Sequence, residues 1–368
     1  MIKKMDKTLF FTSIILLVIG LIMVFSASNV ASFMKFKASP YHFFNRQLFL
    51  LVISLVISGV LLTIHTKAYG PASWLIMIGL IVVLIAVLVS GKMVNQARSW
   101  FDIAGIQFQP SEFIKIAAIV WMSSICANKN KPTTKTYVIM FSILVMVTIL
   151  IILQPDVGTA AIFAMIIFIM FMSLKISPKI KRNVIFGILG IGVIIALLLM
   201  NNGFRTFFER QISRFDFHKP CSEEKFYTTG TQLCNGYIAF NNGGLTGLGL
   251  GNSTQKYLYL PEAYTDFIFA VTVEELGLIV GIIILILMFI VLWRIFLISK
   301  RSNTEMGKLM CYGIFWYILL HIVVNLLGIT GLIPLTGVPL PFLSYGGSFL
   351  MCLVSALTIV QRVAIESK

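Results

Sequence analysis

Charge is what this sequence has least of. Only 12% of its 368 residues are Asp, Glu, Lys or Arg, against roughly 25% in a soluble domain. A chain so poor in charge cannot cover a water-facing surface. Cysteine is also sparse: there are five, and no Cys/His spacing suits a metal site. No glycine-rich loop ending in Gly-Lys-Ser/Thr is present, which excludes an ATP-driven pump within the chain. There is no internal repeat, no low-complexity tract and no stretch that reads as a separate soluble domain.

Apolar residues fill the composition instead, at 58% of the chain, with a mean hydropathy of +0.95. They come in continuous runs of about 18–20 residues, the length a helix needs to cross a bilayer, whereas a barrel would alternate. Ten spans are predicted, roughly 9–28, 47–65, 73–90, 110–127, 136–153, 157–174, 183–201, 267–293, 309–330 and 345–363. The expectation is an all-α polytopic membrane protein forming one transmembrane domain over 1–368, its first helix an uncleaved span.

The net charge of +15 is dispersed over short loops. It reads as topology signal and attraction to anionic lipid, with no nucleic-acid partner implied. With the N-terminus in the cytoplasm, 17 Lys and Arg residues fall inside and 11 outside, six of those 11 in one long loop where the rule weakens. Both termini are then cytoplasmic. A long extracytoplasmic loop, about 202–266, lies between spans seven and eight, and Cys221 and Cys234 sit in it on an oxidising side that permits a disulfide.

Ionisable groups at membrane depth are costly and are functional candidates by default. Four segments carry them, all on the predicted outer side. Pro110-Ser111-Glu112 begins a helix on which Glu112 and Lys115, three apart, can pair. The pair is either structural or, with Arg98, a receptor for an anionic lipid headgroup. Asp156, followed by Val-Gly-Thr, suits a helix N-cap. The long loop holds Arg210, Arg214 and a glycine-dense stretch from Asn241 to Gly251, which is either flexible or allows close backbone approach to a ligand. Finally, Glu262 and Asp266 are four apart and share a face if a helix starts near Pro261. Glu262 can complement the helix dipole. Asp266, where the apolar run begins, fits acid–base work better than a structural role.

Seven stretches, in this order, resemble the FtsW, RodA and SpoVE family of shape, elongation, division and sporulation proteins. They are Gly20–Ser28, Ala97–Trp100, Gln109–Glu112 with Lys115, Gln154–Asp156, Leu260–Glu262 with Thr265–Phe269, Glu274–Gly277, and Gly337–Gly347. The opening stretch leans toward the division and sporulation branches. Ser99, Gln96, Val273 and the Cys221/Cys234 pair depart from the family's usual residues; none touches Asp266. The resemblance implies a peptidoglycan glycosyltransferase that polymerises lipid II at the outer face of the bacterial cytoplasmic membrane, partnered by a class B penicillin-binding protein and other division or elongation proteins. It carries a catalytic aspartate onto Asp266 and functional residues onto Arg98, Glu112 and Lys115. Asp156, Arg214, Glu262 and Ser344 complete the substrate-binding candidates.

The implied reaction needs a general base for a sugar hydroxyl, assigned to Asp266. Positive charge is needed at the departing pyrophosphate, from Arg98, Lys115 and Arg214. A Mg²⁺ or Mn²⁺ ion can assist, with no ligand set deducible and no organic cofactor expected. Two other readings use the same residues: a lipid II flippase without bond chemistry, and a non-catalytic scaffold. Clustering of the polar residues on one side favours the enzyme, since a flippase needs a polar path open to both faces.

Overall fold

A computed structural model describes residues 4–94, 97–103, 106–127, 133–174, 176–199, 218–228 and 230–368. The helices are α1 (Lys7–Met34), α2 (His42–Thr63), α3 (Thr66–Ser90), α4 (Pro110–Cys126), α5 (Thr134–Ile152), α6 (Val157–Ser173), α7 (Pro178–Leu199), α8 (Glu223–Phe226), α9 (Thr231–Gly243), α10 (Ile268–Arg301), α11 (Glu305–Ile329) and α12 (Gly347–Glu366). All but α8 and α9 match the ten expected spans, and the chain is an all-α polytopic membrane protein. Seven are long and apolar enough by themselves to cross a bilayer, and α6 is a shorter apolar helix.

Burial sorts the helices. In α2, α3 and α5 the best apolar window is only 22% buried, against 89% in α12. Large apolar side chains such as Val56, Leu75, Val89 and Phe289 point outward, as lipid-facing positions should. α4, the least apolar predicted span, is central: Glu112, Lys115 and Trp121 are all fully buried. Its charges exclude it from lipid and place it among protein partners.

The sequence reading expects no strands, yet a small antiparallel sheet joins α3 to α4. Its strands are β1 (Lys92–Val94), β2 (Ala97–Ile103) and β3 (Ile106–Phe108). β2 and β3 pair Phe101 with Phe108 and Ile103 with Ile106. These runs are too short for periodicity to distinguish them from loop.

α10 is not one continuous helix. Gly277 has φ 84° and breaks it, freeing main-chain groups that a membrane interior cannot hydrate. The glycine-dense segment supplies their partners. Leu248 N and Gly249 N donate to the carbonyls of Glu274 and Glu275 at 3.0 and 2.9 Å, and Leu278 N and Ile279 N donate to Gly244 O and Leu245 O at 3.0 and 3.2 Å. Close backbone approach is what the glycines provide here, and the backbone approached is that of α10. A Cβ on Gly277 would lie 2.3 Å from Leu245 O.

Cys221 and Cys234 form a disulfide that ties α8 to the first turn of α9. At the opposite end of the bundle, Asp6 caps α1 by accepting from Leu9 N at 2.9 Å and receives Arg294 at the end of α10. Gln361 of α12 exchanges two 2.9 Å bonds with the Asp6 backbone.

Gly277→Ala should lower the melting temperature in detergent. The Gly277 backbone, at φ 84° and ψ 164°, is open essentially to glycine alone and costs another residue about 1–3 kcal/mol, with steric overlap on Leu245 O in addition. Gly59→Ala, where nothing lies within 4 Å of the added Cβ, should leave the melting temperature unchanged or slightly raised.

Candidate active site

Asp266 lies in a turn, not on a helix. Residues 261–267 are turns and α10 begins at Ile268, so the expected helix start near Pro261 is not found. Glu262 takes a positive φ of 55°, which directs the chain away from helix. Glu262 and Asp266 therefore do not share a helical face. Instead Thr265 Oγ1 donates to Glu262 Oε2 at 2.8 Å, and the backbone N–H groups of Thr265 and Phe267 both donate to Glu262 O at 3.2 Å.

The Pro/Gly-rich loop before α12 secures this turn from the other side. Ser344 Oγ donates to Thr265 O at 2.7 Å and accepts from Leu340 N at 2.8 Å, and Tyr345 N donates to Tyr264 O at 2.9 Å. Asn325 of α11 donates to both Asp266 O (2.9 Å) and Val338 O (2.8 Å). Gly337, at φ 71°, lies so close that a Cβ there would be 3.4 Å from Asp266 Oδ2. Asp266 itself is half-buried. It stands at the junction of α10, α11 and the loop, its main chain fixed from two sides.

One turn along α11 from Asn325, His321 enters a second cluster. Lys115 Nζ lies 2.8 Å from Glu112 Oε1 and 3.0 Å from His321 Nε2, and His321 Nδ1 is 2.7 Å from Tyr317 O. A carbonyl can only accept, so Nδ1 carries the proton and Nε2 accepts from Lys115. Lys115 is 1% exposed, so it faces the bundle interior rather than bulk solvent. Glu112 Oε2, Ser111 Oγ, Tyr317 OH and Asn325 Oδ1 are buried nearby on the same elements without hydrogen-bond partners among the described residues. Unused polar capacity at this density is unusual for a protein interior.

Asp156 caps α6 by accepting from Thr159 N at 3.2 Å and also accepts from Gln109 Nε2 at 2.9 Å. Gln109 N in turn donates to Ser348 Oγ at 2.9 Å. Arg98 is exposed on β2. Arg210 and Arg214 lie outside the described residues. Thus Glu262, Asp266 and Ser344 share one turn-and-loop assembly, Glu112 and Lys115 form a pair below it, and α11 links the two through Asn325 and His321. Asp156 joins through Gln109 and Ser348.

Residue-by-residue reading missed a third cluster. Glu274 and Glu275 are fully buried before the α10 break. Glu274 accepts from Asn242, Ser253 and Thr254, and Glu275 accepts from Ser26 and from Lys256 Nζ at 2.9 Å. Lys256 looks like one loop cation among many, whereas adjacent carboxylates inside an apolar run were the signal to follow. His321 and Asn325, four apart on an apolar span, gave a similar one.

Two apolar pockets open among the described residues, of which the second borders the Glu274 and Asp266 elements. One, of about 480 Å³, lies between α5, α6 and α7 and is walled by Phe141, Val145, Phe171 and Val184. The other, of about 510 Å³, lies between α9, α10 and α11 and is walled by Phe240, Phe269, Val273 and Leu326. Among the described residues no three His, Cys, Asp or Glu side chains are placed to hold a metal ion.

Comparison with known proteins adds an independent line. The family model FTSW_RODA_SPOVE, described as cell cycle protein, matches residues 7–368. The Bacillus subtilis (strain 168) protein named "Probable peptidoglycan glycosyltransferase FtsW" is 34% identical, covering 100% of the chain and 92% of the relative. Stage V sporulation protein E of the same organism is also 34% identical, over 99% of the chain and 98% of the relative. Among solved structures, the chain is similar to one titled "Structural coordination of polymerization and crosslinking by a peptidoglycan synthase complex" (TM-score 0.76, 22% identity, 99% of this chain and 98% of that one). It is also similar to the Thermus thermophilus rod shape determining protein RodA (TM-score 0.70, 22% identity, 98% and 96%).

Lys115→Met should strand Glu112 in the interior and destabilise the protein by about 3–5 kcal/mol. Adding Glu112→Gln removes the stranded charge and should recover most of that loss. Thermal or denaturant unfolding in detergent reads both, and equal stability of single and double variants would overturn the ion-pair assignment.

Proposed function

The chain belongs to the FtsW/RodA/SpoVE family, and on that premise we propose that it is a peptidoglycan glycosyltransferase polymerising lipid II into glycan strands. The observation that carries the proposal is the half-buried Asp266 carboxylate, its main chain secured by Asn325 and flanked by the Ser344 loop and Gly337. A carboxylate held this way is pre-organised to accept a proton.

In the proposed step the acceptor sugar's hydroxyl oxygen attacks the anomeric carbon of the donor. The new C–O bond forms as the bond from that carbon to the polyprenyl pyrophosphate breaks, and the pyrophosphate leaves with the electron pair. The hydroxyl proton passes to Asp266. A single displacement inverts the anomeric carbon and needs no covalent enzyme intermediate. Arg98, Lys115 and Arg214 are proposed to meet the charge on the leaving group, with Glu112 orienting Lys115, and Asp156, Glu262 and Ser344 contacting or ordering the substrate. The unpartnered polar atoms around Lys115 support a role beyond structure. A Mg²⁺ or Mn²⁺ ion is kept as an assistant to the leaving group, without assigned ligands. The apolar pocket between α9, α10 and α11 suits a polyprenyl chain.

We place the Asp266 end outside the bacterial cytoplasmic membrane and both termini in the cytoplasm. The distribution of Lys and Arg supports this, as does a disulfide in the loop at that end. A class B penicillin-binding protein is the proposed partner, supplying crosslinking, and other division or elongation proteins are proposed to join it. The resemblance of the opening stretch to the division and sporulation branches, together with the similarity to a protein named FtsW and to a stage V sporulation protein, supports septal synthesis over lateral growth.

The test uses purified protein with its penicillin-binding protein, lipid II in detergent, Mg²⁺ or Mn²⁺, and a gel readout of glycan ladders. Wild type should polymerise, while folded, partner-binding Asp266→Asn should lose at least about 100-fold, the scale of one general base. Equal ladders from both would remove Asp266 from the chemistry. No ladder from wild type, with lipid II translocation detected in vesicles, would favour the flippase reading. Intact cell-wall synthesis in cells carrying Asp266→Ala would favour the scaffold.

A further inference from the structure

Among the described residues, Arg46 is a cation without a carboxylate partner. No acidic residue occurs between Asp6 and Asp102, and among the described residues no carboxylate forms an ion pair with Arg46. It is half-buried on the second turn of α2. A guanidinium so placed in a membrane protein is costly unless something anionic meets it.

Its neighbours show where it points. Phe43, Arg46 and Gln47 are spaced i, i+3, i+4 and share one side of α2. Gln47 clasps the loop before α12, donating to Ser344 O and accepting from Gly346 N, both at 3.3 Å. Phe43 packs on Tyr264 and Tyr345, with ring centroids 4.6 and 5.0 Å away. The Arg46 charge acts on the Tyr345 hydroxyl and opposes the upward pull of burial on its pKa. Tyr345 N in turn bonds Tyr264 O, two residues before Asp266, and Ser344 Oγ bonds Thr265 O, one residue before it. The guanidinium therefore stands beside the turn that carries the proposed base.

A guanidinium has five N–H donors, and one phenol oxygen cannot occupy them. Arg46 can only donate, so the Tyr345 hydroxyl proton remains free to donate as well. Burial pushes the Tyr345 hydroxyl pKa up, with Arg46 opposing, so at neutral pH it keeps that proton. The free donors of a planar fork together with a phenol O–H match the oxygens of a phosphate group.

We propose that Arg46, beside Tyr345 on the face of α2 that Phe43 and Gln47 pack against the Ser344–Gly346 loop, binds a phosphate group of the polyprenyl-pyrophosphate donor on the α2 side of Asp266. The inference rests on the glycosyltransferase reading. It adds a charge to the leaving group that Arg98, Lys115 and Arg214 do not account for, delivered through α2 rather than through β2, α4 or the long loop. The shared chemistry is a phosphate ester anion, which a phospholipid headgroup also offers.

The test compares wild type, Arg46→Gln, Arg46→Lys and Tyr345→Phe, each with the penicillin-binding protein. Polymerisation is followed against lipid II concentration in phosphatidylcholine vesicles with and without phosphatidylglycerol, and binding of undecaprenyl pyrophosphate is measured separately. Arg46→Gln should weaken lipid II use and undecaprenyl-pyrophosphate binding by about tenfold or more, the loss of one charged hydrogen-bonding group. Tyr345→Phe should give a smaller loss in the same direction with unchanged melting temperature. The loss should be the same with or without phosphatidylglycerol. Unchanged lipid II dependence in Arg46→Gln would overturn the proposal, as would a loss seen only with phosphatidylglycerol, which would mark a headgroup site. If Arg46→Gln fails to fold, Arg46→Lys and Tyr345→Phe decide by the same criteria. If wild type makes no glycan, the glycosyltransferase reading fails, and undecaprenyl-pyrophosphate binding by wild type against Arg46→Gln still judges the anion site.

Discussion

A main-chain polar group inside a bilayer must find a partner in the protein, because no water is there to supply one. The rest of the architecture follows from how that demand is met at Gly277. The break in α10 frees peptide groups, and the Gly244–Gly249 backbone bonds them at distances of 2.9 to 3.2 Å. Glycine is needed where the two backbones meet, since a Cβ on Gly243, Gly247 or Gly277 would lie 2.1 to 2.3 Å from a facing carbonyl oxygen. By meeting the demand, the long loop becomes part of the bundle. Its continuation, residues 253–256, is then held by Glu274 and Glu275, with Lys256 buried between Glu275 and Gly251 O. From there the chain runs directly into the turn that presents Asp266.

The same logic organises the charges. Several buried ions are met from other elements: Glu275 by Ser26 of α1 and Lys256 of the loop, Lys115 by His321 of α11, and the Asp6 carboxylate by Arg294 of α10. Lys115 is shared between a carboxylate and a neutral imidazole nitrogen, which holds its ammonium in one orientation. Asp6 shows the balance of forces at the opposite end of the bundle. Burial would raise its pKa, yet the hydrogen bonds from Arg294 and Leu9 and the Arg294 charge leave it below the usual carboxylate value.

α11 connects structure to chemistry. His321 and Asn325 project from one face, the first setting Lys115 and the second holding Asp266 O. A shift of this helix would move both clusters together. On the far side, α2 grips the Ser344–Gly346 backbone through Gln47. The turn carrying Asp266 is thus braced by separate helices, which suits a group that must meet a substrate atom at a fixed position.

The membrane class, the ten spans and the candidates Asp266, Glu112, Lys115 and Asp156 were all legible in the amino-acid sequence. Hydrophobic run length and ionisable residues at membrane depth are local signals, and a lipid solvent penalises their violation heavily. Asp156 as an N-cap is local in the same way. What tertiary structure decided is everything that depends on segments far apart in the chain. The turn at 261–267 replaces a helix because Thr265, Ser344 and Asn325 bond its backbone. The glycine-dense stretch is ordered because α10 breaks opposite it. The roles of His321, Asn325, Lys256 and Arg46 depend on partners from about 20 to 300 residues away, and a hydrogen bond's partner is set by three-dimensional proximity, which no local pattern records.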